Sequence, residues 1–167
     1  MWLLEDKEFK PTPDELSSWV GFVYEILDTA NGMKYIGKKN FWSTRRLPPL
    51  KGKNRKRVIV KESDWMDYYG SNEAIKQILT EHSGDRFRRS IVRLCVSKGE
   101  MSYMEAKEQF EKNVLFDPNY YNEFIGLKCH SKHVSHLALE MINGGRLGAP
   151  TPHRPKASPP SHGASRH

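Results

Sequence analysis

Hydrophobic positions change their period several times along the chain, and each change marks an element. From Gly21 onward Phe22, Val23, Tyr24 and Ile26 are aromatic or β-branched, as are Tyr35 and Ile36, which suits two strands. Asn31-Gly32 between them supplies the positive φ angles of a tight hairpin. Tyr24 and Tyr35 are therefore expected side by side on neighbouring strands. Val58, Ile59 and Val60 predict a third strand. Ala74, Ile75, Ile78 and Leu79 recur at helical spacing and predict a helix over about 72–82, with Ser71 as its cap. Phe87 to Val96 alternates as a strand, with Arg86, Arg88 and Arg89 along its outer side or approach. After a turn at 99–102, Ser102 and Glu105 form the S-x-x-E of a capping box. The helix it opens carries Met104, Glu108, Phe110 and Val114 and ends before Asp117-Pro118, because a residue preceding proline avoids helical geometry. Trp65, Tyr68 and Tyr69 read as core aromatics.

The ends of the chain are different in character. Residues 1–18 are polar, with Pro11 and Pro13, and read as an extended arm or a short helix from Asp14. Residues 19–126 hold the periodic segments, and 127–146 form a short extension with one helix over His133 to Ile142. Residues 147–167 are dominated by Pro, Ser, Gly and His and are expected to be disordered, since they cannot bury enough apolar surface to offset chain entropy. Taken together, the order is strand-strand, basic segment, helix, strand, helix. It predicts an α/β (α+β) sandwich: a three-stranded antiparallel sheet flanked by helices.

Charge adds a partner to this picture. The formal charge is +7 and the pI about 9.4, a balance that fits a polyanion such as nucleic acid. Lys51, Lys53, Arg55, Lys56, Arg57 and Lys61 follow one another with no acidic residue before Glu62. This run reads as a loop whose contacts to phosphate position DNA without reading its sequence. No apolar run approaches the length of a membrane span, and Met1 to Leu4 is too short for a secretory core. Cys95 and Cys129 read as free thiols of a soluble, cytoplasmic protein. Cys129, His130, His133 and His136 include metal-binding side chains but lack a second thiol pair, and they read as ordinary polar helix residues.

Val23-Tyr24, the intact Tyr35-Ile36-Gly37, and the arginines at 45 and 46 together resemble the paired motif of the GIY-YIG nucleases. Arg45 stands at the family's usual spacing and Arg46 one step beyond, so both remain candidates. Phe22-Val23-Tyr24 replaces the usual Gly-Ile-Tyr, and the histidine frequent after the arginine is missing, leaving Lys51, Lys53 or Lys61 to take its role. The resemblance covers about 19–126 and implies that Glu108 is the metal-binding glutamate and Asn122 the asparagine that closes the domain. It further implies a Mg²⁺-dependent (or Mn²⁺-dependent) DNA endonuclease. In that reading Tyr24 is the general base, Tyr35 orients water or phosphate, and the arginine clamps phosphate. Within the family the chain looks most similar to phage Seg-type homing endonucleases, which implies the cytoplasm of an infected bacterium.

The chemistry needs those residue types. One carboxylate can hold a hard cation that keeps most of its waters, and a guanidinium offers phosphate a bidentate fork. A tyrosine base, with an ordinary pKa of about 10, needs nearby positive charge. Two other readings stay open: a nucleic-acid-binding module without turnover, and a nuclease for branched DNA. A single centre that cuts both strands requires a transient dimer on DNA or sequential nicks. The enzyme reading requires Tyr24, Tyr35, an arginine and Glu108 to converge on one cleft.

Overall fold

The computed structural model describes residues 1–127 and 129–138. Strand β3 (Gly21–Asp28) and strand β4 (Lys34–Asn40) form the expected antiparallel hairpin, with Tyr24 opposite Gly37 and Ile26 opposite Tyr35. The connection is five residues long, and Gly32 takes φ +77° within it. Strand β7 (Phe87–Cys95) lies antiparallel on the other side of β3. Their register shifts between Val23 and Tyr24, where Val92 is the unpaired extra residue of a β-bulge opposite Tyr24.

The sheet has five strands rather than three. Strand β1 (Trp2–Leu4) pairs in parallel with β7, and β2 (Lys7–Glu8) returns antiparallel to β1, giving the order β2-β1-β7-β3-β4. The overall polarity of residues 1–18 concealed this, although Trp2 and Leu16 are buried and Leu4 and Phe9 pack against the same core. Trp2 is buried edge-on against Phe22 and Tyr24, and its indole N–H donates to Trp65 O at 2.7 Å. The short helix α1 (Pro13–Ser17) does form, opened by a Thr12–Glu15 capping box.

Val58, Ile59 and Val60 do form a strand, but not in this sheet. Strand β6 (Arg57–Glu62) pairs with β5 (Trp42–Leu47) in a separate two-stranded ribbon. Helix α2 (Glu73–Glu81) starts one residue later than expected, with Asn72 rather than Ser71 as the cap. Helix α3 (Lys98–Glu111) starts well before the expected capping box. Its cap is Ser97, whose hydroxyl accepts from Glu100 N at 3.1 Å, while Glu100 accepts from Val96 N at 2.8 Å. The pattern S-x-x-E occurs twice here, and the first copy opens the helix. Residues 99–102 are thus helical, and Glu105 has no capping duty.

Packing is two-sided. One face of the sheet carries Phe22, Tyr24, Ile26 and Ile91 against Trp2, Leu16, Phe41, Trp65 and Ile75. The other carries Val23, Ile36 and Cys95 against Met101 and Met104 of α3. Trp65, Tyr68 and Tyr69 join the first core, as their aromatic pattern predicted. Arg89 is not an outer residue. It is buried, stacks on the Tyr69 ring at 4.0 Å and donates to the carbonyls of Met66 and Tyr68 at 2.9 Å. Beyond α3, Ser131–His133 and Ser135–Leu137 are short 3-10 turns. The rest of the helix expected to Ile142, and the tail from 147, lie outside the described residues. No helix among the described residues is long and apolar enough to cross a membrane.

Candidate active site

Strand β4 is the outer strand of the sheet, so its free edge must be satisfied from elsewhere. The segment after α3 does this: Lys34 N donates to Asn119 O, and Tyr121 N donates to Lys34 O. Asn122 completes the edge with its side chain. Its Oδ1 accepts from Ile36 N at 2.9 Å and its Nδ2 donates to Ile36 O at 2.8 Å. Gln109 of α3 also donates to Ile36 O, at 3.1 Å. Both ends of the Asn122 amide are consumed, so this residue fixes the wall of the site.

Beside this edge lies a cleft of about 350 Å³, lined by Tyr35, Lys38, Ser71, Asn72, Glu105 and Asn122, among others. Tyr35 and Lys38 come from opposite faces of β4, so the cleft wraps around the edge. The Tyr35 hydroxyl lies 3.2 Å from the Ser71 hydroxyl, while Asn72 caps α2 by accepting from Ile75 N. Glu105 reaches the cleft from α3 and forms a 2.5 Å ion pair with Lys38. Burial pushes the Glu105 carboxyl above the ordinary carboxylate range, and Lys38 offsets part of that shift.

The tyrosines are adjacent, as the hairpin predicted, with ring centroids 6.2 Å apart. Tyr24 sits behind Tyr35 and is almost completely buried. A methyl group on Gly37 would collide with the Tyr24 hydroxyl, so the glycine of Tyr35-Ile36-Gly37 makes room for that phenol. Positive surroundings do not lower the two phenols. Burial raises Tyr24 well above its ordinary pKa, and the Tyr68 and Tyr35 hydroxyls reinforce this. Tyr35 is also raised, chiefly by burial; the hydrogen bond to Ser71 and the charge of Lys76 on α2 work against that rise.

The remaining expected residues are not brought into the cleft. Glu108, one turn beyond Glu105, faces Lys112 at 3.5 Å, and Lys112 also pairs with Glu25 at 3.1 Å on β3. Glu25 shares the Val23 face of β3, so Glu108 and the phenols lie on opposite sides of the sheet. Arg45 and Arg46 are exposed on β5, out along the ribbon from its base at Trp42. Lys51, Lys53, Arg55 and Lys56 are exposed on the connecting segment, and Arg57 and Lys61 on β6. Lys38 had no sequence signal of its own, and Ser71 was marked only as a helix cap. Glu105 had one, masked by the second S-x-x-E.

The residues at the cleft fit a divalent cation of the hard type. Glu105 presents a carboxylate to a water-accessible space, and Glu123 lines the same cleft; oxygen donors with room for retained waters are what Mg²⁺ requires. In this structure that carboxylate is paired with Lys38. Among the described residues no three His, Cys, Asp or Glu side chains gather as a metal cluster. His130 and His133 cap a 3-10 turn, and His136 faces Glu100 at 3.4 Å.

The family described as "Putative endonuclease segE, GIY-YIG domain" matches residues 2–125, a span that begins with the parallel strand and ends just past Asn122. The chain belongs to the GIY-YIG endonuclease family, in its Seg-type branch. Membership accounts for the tyrosine hairpin and for the mixed α+β fold around it. The match extends the family region back from residue 19 to residue 2, in keeping with the place of Trp2 in the sheet. No curated protein and no solved structure matches the chain.

Proposed function

We propose that this protein is a DNA endonuclease that hydrolyses phosphodiester bonds in the cleft at the β4 edge, with one divalent ion, Mg²⁺ or Mn²⁺, held by Glu105. The observation that carries this reading is the meeting of Tyr35, Lys38, Glu105 and the Asn122-pinned wall in one accessible cleft. A divalent ion there would supply charge neutralisation at the phosphate and support for the departing oxygen. Tyr35 orients the attacking water through its hydroxyl. Tyr24, in the phenolate form and seated directly behind Tyr35, is assigned as the general base. Lys38, which lines the cleft, is placed to face the phosphate and to give a proton to the leaving oxygen. Arg45, Arg46 and the basic run hold flanking phosphates from the ribbon. The four-residue convergence expected from the sequence does not form, because Glu108 belongs to the Glu25–Lys112 ion-pair network, and the proposal rests on Glu105 in its place.

Plasmid nicking in Mg²⁺ tests the reading. Glu105→Gln and Tyr35→Phe are expected to lose at least about a hundredfold in rate, as for groups acting at the transition state, while Glu108→Gln stays within a few-fold of wild type. Equal loss in the two glutamate variants would overturn the assignment. The burial of Tyr24, and a cleft lined by no arginine among the described residues, favour a second reading, a DNA-binding module without turnover. No nicking by wild-type protein on duplex, flap or junction DNA would establish that alternative. The Seg-type match supports a phage-encoded homing role, with linear duplex preferred over branched substrates. With one centre per chain, cutting both strands needs a transient dimer on DNA or two successive nicks. We further propose that residues 127–167 form an appendage to the nuclease domain and that the protein works in the cytoplasm.

A further inference from the structure

The β5–β6 ribbon has no packing reason to stand as it does. Its base is anchored: the Trp42 indole donates to Trp19 O at 2.8 Å, and Glu62 accepts from the Trp65 indole at 2.6 Å. Beyond that base, Ser43 to Arg46 and all of β6 are exposed, including Val58, Ile59 and Val60 at 58, 45 and 59%. Strand alternation puts Thr44, Arg46, Val58 and Val60 on one face, and Arg45, Ile59 and Lys61 on the other. A two-stranded sheet that buries neither face is marginally stable in water. Val58 and Val60 on one face and Ile59 on the other leave apolar side chains open to solvent on both sides of the ribbon, a feature of surfaces that are covered by a partner.

Charge says what covers it. Between Trp42 and Lys61 there are eight arginines and lysines and no acidic residue. Removing those eight from the formal +7 leaves the rest of the chain one charge negative. The ribbon therefore carries the entire positive excess, and its occupant is a polyanion. The stretch from Ser43 to Lys61 contains no Phe, Tyr, Trp or His, so it offers no platform for stacking unpaired bases. The deep, narrow major groove of A-form RNA does not admit such an element. The major groove of B-DNA does: it is about 12 Å wide and accepts a two-stranded β-ribbon. Six residues at about 3.4 Å each make an arm roughly 20 Å long, and methyl groups such as those of Val58 to Val60 suit contact with thymine methyls.

We propose that the β5–β6 ribbon is a duplex-DNA arm that lies in the major groove, with its basic tip on the flanking phosphates, while hydrolysis takes place separately at the β4 edge. This rests on the reading of DNA as the substrate and not on turnover, so it is tested without divalent metal. Fluorescence anisotropy of full-length protein on a labelled DNA duplex, its single strand and an RNA duplex of the same sequence, across a salt series, is the experiment. Wild-type protein is expected to prefer the DNA duplex by at least about tenfold. Replacing Lys51, Lys53, Arg55, Lys56 and Arg57 with Gln should weaken duplex binding and flatten the plot of log K against log salt by about 0.9 for each phosphate no longer neutralised. Unchanged circular dichroism would show that the variant keeps its fold. Methyl green, a major-groove dye, should be displaced by wild-type protein, and netropsin in the minor groove should not. Equal affinity for all three nucleic acids, an unchanged salt slope, or displacement of netropsin alone would each overturn the arm. If wild-type protein binds as expected but never cuts, the hydrolase reading falls and the arm stands.

Discussion

Glu105 and Glu108 stand on one helix three residues apart, yet they meet different surroundings. Glu105 looks across Lys38 into a water-accessible cleft, whereas Glu108 is tied into an ion-pair network with Lys112 and Glu25. A three-residue step on a helix turns a side chain by roughly 300°, enough to move it from the sheet edge to the sheet face. Sequence placed a glutamate in this helix but could not choose the turn, because the choice depends on how α3 lies across β4. Tyr24 carries a second residue-scale consequence. A base whose pKa burial has raised is ionised only in a small fraction near neutrality, and that fraction grows with pH. The cleavage rate is therefore expected to climb through pH 9 with a slope near one on logarithmic axes, measured under single-turnover conditions. A plateau beginning below pH 8 would exclude Tyr24 as the base. The two tyrosines and the glycine beside them were legible because a hairpin fixes cross-strand neighbours; the burial of Tyr24 was not, since it comes from the distant rings of Trp2 and Tyr68.

At the scale of elements, the edges of the sheet explain most of what the pattern of apolar residues concealed. The first strand hides in a segment that is polar on the whole, with Trp2 its one fully buried side chain and Leu4 packed beside it. Trp2→Ala is expected to cost about 3–5 kcal/mol, as for other buried large aromatics, and a shift in the urea midpoint would report it. At the opposite edge, Asn122 replaces a missing strand with an amide. Asn122→Ala leaves Ile36 N unpaired and buried, for an expected loss of about 1–3 kcal/mol, together with weaker cleavage as the cleft wall loosens. A drop in activity with no loss of stability would instead make Asn122 a participant in the chemistry. The third predicted strand was legible from Val58 to Val60, but β-branched residues report only extended backbone, not which sheet receives it. The ribbon lies outside the core for that reason, and Arg45 and Arg46 go with it.

For the molecule as a whole, one buried network ties the hairpin to the last strand and to the closing segment. Asp28 is fully buried, and burial alone would raise its carboxyl. The bonds from Arg86 at 2.6 and 2.8 Å, from the Tyr121 hydroxyl at 2.8 Å and from the Ala30 amide hold it below its ordinary value instead. A depressed folded-state pKa contributes stability above the unfolded value and loses it as pH falls through the folded one. Asp28→Asn should therefore be less stable than wild type at pH 7, with the gap closing below about pH 4, as followed by thermal melts across pH. A gap that stays constant into acid would show that packing rather than charge holds the network. The α+β class, the tyrosine hairpin and the central order of elements were readable from periodicity. The five-stranded arrangement was not, since a parallel pair between Trp2 and Arg89 leaves no local trace.

That pairing also has a consequence for how the molecule is made. A ribosome releases Trp2 long before it has linked Arg89, yet the two lie opposite each other in the finished sheet. Until the later strand emerges, the backbone of the first strand has no partner to pair with, and the hairpin beside it waits with one flank bare. Such distant partners slow folding, so the nascent chain passes through a stage in which its most apolar surface is open to whatever else the translating cell offers.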